Sequence, residues 1–319
     1  MISVDMCVFL FQNRASGGNS VGGDGEEEAG EGGAFELPCL GNATTVSLDL
    51  GFLGLAVPPA GVFAQLTELS LNRVRFHGPL ELGDAVSSLR CPCLQKLSVG
   101  EARGLANLPI HSEPLLQLSL LALVGLQQLT LVAKALKKLA WGSSITRGRP
   151  VVNISTTQLV SLVWFDSYDP TSIQPCGLAQ LKKLSCAFCV YDSHDSWRIR
   201  GFQQLLKGFQ EPCVCPSDCV CDHSTDWKTM ELTLGCLQEV AIDMEGTDHQ
   251  VAFVKRLFTW AVVLKRLDIT FNPSISECKV RELHQTLSSF SGPETRVEFY
   301  MYESSDSMKF YRKRYWLAP

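Results

Sequence analysis

Long hydrophobic runs are missing from this sequence, which excludes an obvious membrane-spanning helix. The longest apolar stretch, residues 115–132, is interrupted at strand spacing by five polar side chains: Gln117, Ser119, Gln127, Gln128 and Thr130. A membrane span needs about 20 consecutive residues that are predominantly apolar. Residues 1–11 are apolar but few, include Asp5 and lack the basic start of a secretory signal. We therefore expect no membrane partner.

An excess of one charge sign is also missing. The 319 residues include 28 basic and 33 acidic side chains, which gives a formal net charge of -5. A nucleic-acid-binding domain presents a strong basic field, because phosphate contacts supply much of its affinity. The charge balance therefore predicts no nucleic-acid partner.

The chain lacks a recognisable catalytic or cofactor-binding pattern. Its histidines are isolated from one another: His77, His111, His194, His223, His249 and His284. Gly18, Ser20 and Gly22 match the Gly-x-Ser-x-Gly pattern of hydrolases, but neither the required strand nor the required helix flanks them. No phosphate-binding loop is present. We expect a protein that is not an enzyme and binds no cofactor.

Cysteine is not scarce, but its distribution excludes a compact disulfide framework. The 13 cysteines are odd in number and scattered along the chain. Reduced thiols in the cytoplasm or the nucleus explain this pattern better than a secreted scaffold does. The Asn-x-Ser/Thr sites at Asn42 and Asn153 are then chance matches, because glycosylation requires the secretory route.

One cysteine-rich segment is a candidate metal site, because thiolates and imidazoles are preferred zinc ligands. Its residues are Cys213, Cys215, Cys219, Cys221 and His223. Structural zinc sites favour Cys-x2–4-Cys pairs, whereas this segment has two Cys-x-Cys pairs and two prolines. The spacing favours a surface loop without a metal, and zinc binding and a redox-labile thiol pair are the alternatives.

What the sequence does contain is a recurring Leu-x-x-Leu-x-Leu hexad. Hexads start at Leu66, Leu94, Leu126, Leu136, Leu159, Leu181, Leu237 and Leu264. Their starts are 28, 32, 10, 23, 22, 56 and 27 residues apart, and most intervals match one leucine-rich repeat or a merged pair. The alternation of residues 46–50 predicts a first strand, and residues 115–120 form a further hexad.

The second and third apolar residues of each hexad are two positions apart, which places them on one face of a strand. One such strand cannot bury its apolar face alone, so neighbouring strands must stack. We therefore predict an α/β leucine-rich-repeat solenoid with irregular repeats. Its parallel sheet lies on the concave side, with helices or loops on the convex side.

The residues that flank the buried apolar pair are candidates for binding a protein partner on the concave face. They are Glu68, Ser70, Asn72, Lys96, Ser98, Gln128, Thr130, Lys138, Ser161, Lys183, Ser185, Glu239, Asp243, Arg266, Asp268 and Thr270. The alternative is a solvated sheet face without a function. Lys96, Lys138 and Lys183 hold equivalent hexad positions, so stacking predicts a lysine column that serves solubility or an acidic partner.

Composition and periodicity divide the chain into four regions. We predict a disordered Gly/Glu-rich leader at residues 1–34, a repeat region at 35–190, an insertion with a helix and the cysteine-rich loop at 191–235, and a C-terminal region at 236–319. Within the C-terminal region, a helix starts at Thr247, and another starts at a capping box formed by Ser274 and Glu277. Residues 297–301 alternate as a last strand. The basic tail at 309–314 favours a solvated end, with a nuclear-import signal as the alternative.

The sequence resembles plant F-box/leucine-rich-repeat proteins that end in an FBD region, especially those of grasses. The most specific matches are Cys236-Leu237-Gln238-Glu239-Val240, Phe253-Val254-Lys255-Arg256-Leu257-Phe258 and Val263-Leu264-Lys265-Arg266-Leu267. The resemblance covers roughly residues 35–315. It implies a C-terminal FBD-like strand-helix-strand region that continues the solenoid, and a repeat region that selects substrates for a ubiquitin ligase.

In that family an N-terminal F-box joins a Skp-type adaptor and a cullin ligase. Residues 1–34 are short, Gly-rich and acidic, whereas an F-box needs helical, Leu-Pro-rich sequence. We therefore expect that the F-box is missing and that a Skp-type adaptor binds only if an upstream F-box is restored. The alternative is a free-standing repeat scaffold, or a truncated paralogue without an F-box and without a ligase role.

Overall fold

The structure is a computed structural model built from stacked β-strands. It describes residues 3–7, 34–37, 42–56, 61–76, 82–142, 150–165, 173–176, 180–187, 233–271, 275–304 and 310–314. In chain order the elements are β1 (Ser3–Cys7), β2 (Phe35–Glu36), β3 (Thr45–Asp49), β4 (Gly54–Ala56), β5 (Glu68–Asn72), β6 (Arg75–Phe76), α1 (Leu82–Ala85), β7 (Lys96–Gly100), β8 (Asn107–His111), β9 (Gln117–Leu121), β10 (Gln128–Val132), β11 (Lys138–Gly142), β12 (Val151–Ser155), β13 (Ser161–Trp164), β14 (Ile173–Cys176), β15 (Lys183–Ala187), β16 (Glu239–Met244), α2 (Asp248–Trp260), β17 (Arg266–Phe271), α3 (Glu277–Ser288), β18 (Arg296–Ser304) and β19 (Phe310–Arg314).

Twelve of the described strands form one main sheet in the order β1-β3-β5-β7-β9-β11-β13-β15-β16-β17-β18-β19. Neighbouring strands within this sheet are parallel, except for the antiparallel pair of β18 and β19. Two shorter parallel sheets, β14-β12-β10-β8 and β2-β4-β6, take the remaining strands. From β1 to β15 the chain alternates between the main sheet and a shorter sheet. The predicted parallel-sheet solenoid is therefore confirmed at this level.

The core lies between the sheets and consists of stacked apolar columns. Leu97, Leu118 and Leu139 stand in register on neighbouring strands and are almost completely buried. Burying one such side chain contributes about 1.5–3 kcal/mol. Farther along the sheet the rings of Trp141 and Trp164 stack with centroids 5.9 Å apart. Each turn of the solenoid thus buries its apolar face against its neighbours.

The turn after several main-sheet strands uses a left-handed backbone conformation. Arg73, Glu101 and Ala122 follow β5, β7 and β9 with φ values of 48°, 49° and 54°. The backbone N–H of Ala122 donates to the carbonyl oxygen of Gly142 at 2.9 Å, and the N–H of Glu101 donates to that of Leu121 at 3.0 Å. The repeated conformation therefore continues the ladder of hydrogen bonds beyond the strand ends.

The predicted helices or loops on the convex side are only partly present. Up to β14 the main sheet is backed by short strands, because each turn contains a second alternating segment such as Leu129 and Leu131. The helices α2 and α3 replace that second strand only after β16 and β17. This element of the prediction is wrong for most of the repeat region.

The two C-terminal helices have defined starts. Helix α2 begins after Thr247, as predicted, and Thr247 and Gln250 form a capping box. The predicted box of Ser274 and Glu277 is wrong, because α3 is capped by Ser276, whose hydroxyl accepts from the backbone N–H of Lys279. A backbone N–H of the first turn is thus satisfied by the residue directly before the helix.

Both ends of the main sheet differ from the prediction. Residues 3–7 of the predicted disordered leader form β1, which pairs in parallel with β3, and residues 8–33 lie outside the described residues. Residues 310–314 of the predicted solvated tail form β19, which pairs with the end of β18. Without these additions β3 and β18 would be the edge strands, with unpaired backbone groups. Pairing with β1 and β19 satisfies those groups.

The predicted insertion falls almost entirely outside the described residues. Residues 188–232 are not described, and they include the predicted helix and the cysteine-rich loop. On either side of that segment, β15 and β16 are direct parallel neighbours, with Leu184 opposite Val240. The main sheet therefore continues from the repeat region into the C-terminal region.

Candidate functional site

The outward positions of the main-sheet strands form one continuous surface, which we call the open face. Its residues fall into three rows, because pairing between neighbouring strands keeps them in register. The first row is Glu68, Lys96, Gln117, Lys138, Ser161, Lys183, Glu239 and Arg266. The second row is Ser70, Ser98, Ser119, Ala140, Val163, Ser185, Ala241 and Asp268. The third row includes Asn72, Gly100, Leu121, Gly142, Asp243 and Thr270.

Two of the predicted binding residues are not on the open face. Gln128 and Thr130 lie on β10 in the second sheet, in register with Asn107 and Pro109 of β8. Their hexad starts only ten residues before the next one, which is too short for a full turn of this solenoid. The segment from 126 to 131 is therefore the back strand of a turn, and its polar side chains belong to the opposite surface.

Two further candidates lie on the open face but are buried. Asp268 is 9% exposed and Thr270 is 1% exposed. The Nε atom of Arg266 lies 2.9 Å from Asp268 Oδ1, and its Nη2 atom lies 3.1 Å from Glu298 Oε2. The hydrogen bond to Asp268 raises the pKa of Arg266, followed by the coulombic effect of the same carboxylate. At this end of the face the charges of Arg266, Asp268 and Glu298 compensate one another. The side chains of Asp268 and Thr270 are buried and are therefore not available to a partner.

Ion pairs compensate two of the three column lysines. The Nζ atom of Lys96 lies 2.7 Å from Glu68 Oε1, and that of Lys183 lies 2.7 Å from Glu239 Oε2. Each pair is about half exposed, so it contributes at most about 1 kcal/mol to stability. Lys138 is exposed and forms no ion pair with any residue that the structure describes. The column is present, but only its central member carries an uncompensated charge.

The sequence interpretation missed an apolar patch in the third row. Leu121 is 36% exposed and Phe165, which directly follows β13, is 47% exposed. Gly142 lies between them on β11, and a Cβ atom added there would be only 2.6 Å from the Cβ of Phe165. Glycine thus makes room for the phenylalanine. The sequence does contain a signal for this patch. Leu121 and Phe165 each directly follow the last buried residue of a hexad, so the alternation of the strand places them on the outward side.

A further ion pair holds the N-terminal end of the face. Arg73 binds Asp49 with two nitrogens, Nε to Oδ1 at 2.8 Å and Nη2 to Oδ2 at 2.5 Å. Asn72 donates a further hydrogen bond to the same carboxylate at 3.2 Å. The hydrogen bond from Arg73 is the main reason that the pKa of Asp49 is lowered. Paired charges therefore border the centre of the open face on both sides.

The described residues contain no metal cluster, and two of their cysteines are buried. No group of three or more His, Cys, Asp or Glu side chains in the described ranges could hold a metal ion. The predicted candidates from Cys213 to His223 lie outside those ranges. Burial raises the pKa of Cys91 to about 11 and also raises that of Cys186, which keeps both thiols protonated. No described helix is long and apolar enough to cross a membrane.

Comparison with known proteins gives one partial relative. The chain is 30% identical over 138 residues to an F-box/FBD/LRR-repeat protein of Arabidopsis thaliana. The match covers 41% of this chain and 28% of that protein, so the chain spans well under half of the relative's length. No family model matches the chain. No solved structure matches it either.

Proposed function

We propose that this protein is a protein-interaction module whose binding surface is the open face of the main sheet. The observation that carries the proposal is the asymmetry of each main strand. Its inward side chains are fully buried, whereas its outward side chains in β5 to β15 remain exposed or half-exposed over many strands. Stacked repeats use an extended face of this kind, usually concave, to bind partners.

A role in substrate recognition for a ubiquitin ligase is the finer form of this proposal. It is supported by the partial similarity to an F-box/FBD/LRR-repeat protein and by the repeat architecture. In this role the open face selects a protein substrate, and a Skp-type adaptor is recruited only where an F-box is present. The alternative is a free-standing scaffold, or a paralogue without an F-box and without a ligase role.

The proposed role involves neither catalysis nor a cofactor. The partner is a protein rather than a nucleic acid or a membrane, because the net charge of -5 offers no broad basic field. The scattered cysteines support a location in the cytoplasm or the nucleus.

Site-specific photo-crosslinking in cells tests the binding surface. A photoreactive residue replaces Ser119 on β9 of the open face or, as the matched control, Asn153 on β12 of the second sheet. Both positions are half-exposed and lie between buried neighbours on their strands. We expect discrete protein adducts from position 119 only, and equal adduct patterns from both positions would contradict the proposal.

Co-purification with a Skp-type adaptor separates the two forms of the proposal. The expected result for this chain by itself is no adaptor in the purified material. Adaptor bound in stoichiometric amounts would contradict the expectation that the F-box is missing and would support a complete ligase receptor.

A further inference from the structure

Uncompensated positive charge is concentrated at one edge of the central open face. Four exposed lysines lie at or just before the amino-terminal ends of β11 and β15: Lys134, Lys137, Lys138 and Lys182. None of them forms an ion pair with a described residue, in contrast to Lys96 and Lys183. We call this group the basic edge. Alternate strands of the sheet are about 9.6 Å apart, so these charges reinforce one another over a short distance.

The opposite end of the same strands is apolar. Leu121 and Phe165 are exposed there, on either side of Gly142. Lys138 and Gly142 are the first and last residues of β11, so the charge and the apolar patch are about 13 Å apart. Exposed apolar side chains that lie together on an otherwise polar surface are typical of a contact surface.

The floor between the two ends is built from small side chains. Ser119, Ala140 and Val163 stand in register on three neighbouring strands, and none of them is charged. Ion pairs occupy the face on both sides, at Lys96 with Glu68 and at Lys183 with Glu239. The result is a shallow strip that runs along β11 and has a charged end, a smooth floor and an apolar end.

We infer that this strip binds an extended acidic segment of a partner protein. The segment places a carboxylate at the basic edge and, three to five residues away, an aromatic or large aliphatic side chain on Phe165 and Leu121. That spacing follows from the strip length, because an extended chain advances about 3.3 Å per residue. This inference rests on the proposed function and specifies the chemistry of its partner.

Protein fits this strip better than nucleic acid does. A nucleic acid needs phosphate contacts along its whole path, whereas the basic edge is confined to one end and the rest of the strip is uncharged or apolar. An acidic peptide needs only one charged contact region, and the apolar patch then anchors a side chain.

Selection from a displayed library of random linear peptides, about a dozen residues long, tests the inference on the purified full chain. We expect the enriched peptides to share an Asp or Glu three to five positions from an aromatic or large aliphatic residue. The affinity of a synthetic enriched peptide is then measured by fluorescence anisotropy. Lys138→Glu should weaken binding about tenfold, and Phe165→Ser should do so about tenfold or more.

Lys265→Glu is the matched control. Lys265 is also exposed and directly precedes a main-sheet strand, but it lies before β17, away from the strip. We expect this variant to change the affinity less than about twofold. The unfolding midpoints of the three variants and the parent protein are measured as a folding control. Equal midpoints show that a loss of affinity does not result from unfolding of the variant.

Two results would overturn the inference and leave the proposed function intact. In the first, enriched peptides lack the acidic residue or bind Lys138→Glu as well as the parent. In the second, a single-stranded oligonucleotide of mixed sequence competes with the peptide at equal concentration. Failure of both the peptide selection and the crosslinking from position 119 would overturn the inference and the proposed function together.

Discussion

At the scale of single residues, the ion pair of Asp49 and Arg73 makes stability depend on pH. The pKa of Asp49 is lowered mainly by the hydrogen bond from Arg73, so the folded protein binds a proton there less readily than the unfolded chain. Its stabilisation is present above the ordinary aspartate pKa and is lost as the pH falls. We expect Asp49→Asn to lower the free energy of unfolding by about 1 kcal/mol at neutral pH.

Chemical unfolding between about pH 5.5 and pH 3 measures this effect. The difference between the parent protein and Asp49→Asn should shrink as the pH falls through that range. Glu113→Gln is the control, because Glu113 is exposed and forms no ion pair with a described residue. A difference that is constant with pH would contradict the assigned role of the pair.

The left-handed turn residues give a second prediction at this scale. Ala122 has a φ of 54°, a conformation that costs a residue with a Cβ atom about 1–2 kcal/mol. Glycine loses more backbone entropy on folding, which offsets some of the gain. We therefore expect Ala122→Gly to raise the free energy of unfolding by about 0.5–1 kcal/mol.

The reverse substitution at a nearby turn position, Gly125→Ala, tests whether the left-handed backbone conformation is the cause. Gly125 has a φ of 87° and space for a methyl group, so Gly125→Ala should destabilise through the backbone alone. Thermal unfolding of both variants measures the two effects. A loss of stability in Ala122→Gly would show that the turn conformation stores no strain.

At the scale of elements, the start of α2 depends on its cap. The side chain of Gln250 is buried and accepts from the backbone N–H groups of Glu245, Gly246 and Thr247, while Thr247 accepts from the N–H of Gln250. We expect Thr247→Ala to lower the free energy of unfolding by about 1 kcal/mol. Thr247→Ser retains the hydroxyl and should stay within about 0.5 kcal/mol of the parent protein. Equal losses in both variants, measured by denaturant titration, would contradict the capping role.

Strand positions could be predicted from the hexads, but their assignment to a sheet could not. Leu129 and Leu131 alternate in the same way as Leu118 and Leu120, yet β10 lies in the second sheet and β9 in the main sheet. Local periodicity indicates which side chains of a strand are buried, but not in which sheet the strand lies. Because strands line both sides of this core, the two sheets give the same pattern. Only the short interval before the hexad at Leu136 indicated a second strand within one turn.

The candidate site could be predicted as a face but not in its details. The hexads correctly placed Lys96, Lys138 and Lys183 in one column. Which lysine is uncompensated depends on neighbours that are distant in sequence, such as Glu239 beside Lys183. The burial of Asp268 and Thr270 likewise depends on tertiary contacts that an alternating pattern does not contain.

At the scale of the whole molecule, one sheet links the repeat region to the C-terminal region. Because β15 pairs with β16 and β16 pairs with β17, the open face continues across the undescribed segment. Its character changes along this path. The centre combines small residues with an exposed aromatic ring, whereas the C-terminal end is a closed network around Arg266. The centre is therefore more accessible than the C-terminal end, and we propose it as the part of the face that binds a partner.

The central claim, that the open face binds the partner, is tested most directly by blocking either surface with one bulky charged side chain. Ser119→Arg places it on the open face, and Thr130→Arg places it at a half-exposed position of the second sheet. The measurement is the affinity of each folded variant for a partner identified by crosslinking. The account predicts a loss of at least about tenfold for Ser119→Arg and less than about twofold for Thr130→Arg. The reverse order of the two effects would contradict it.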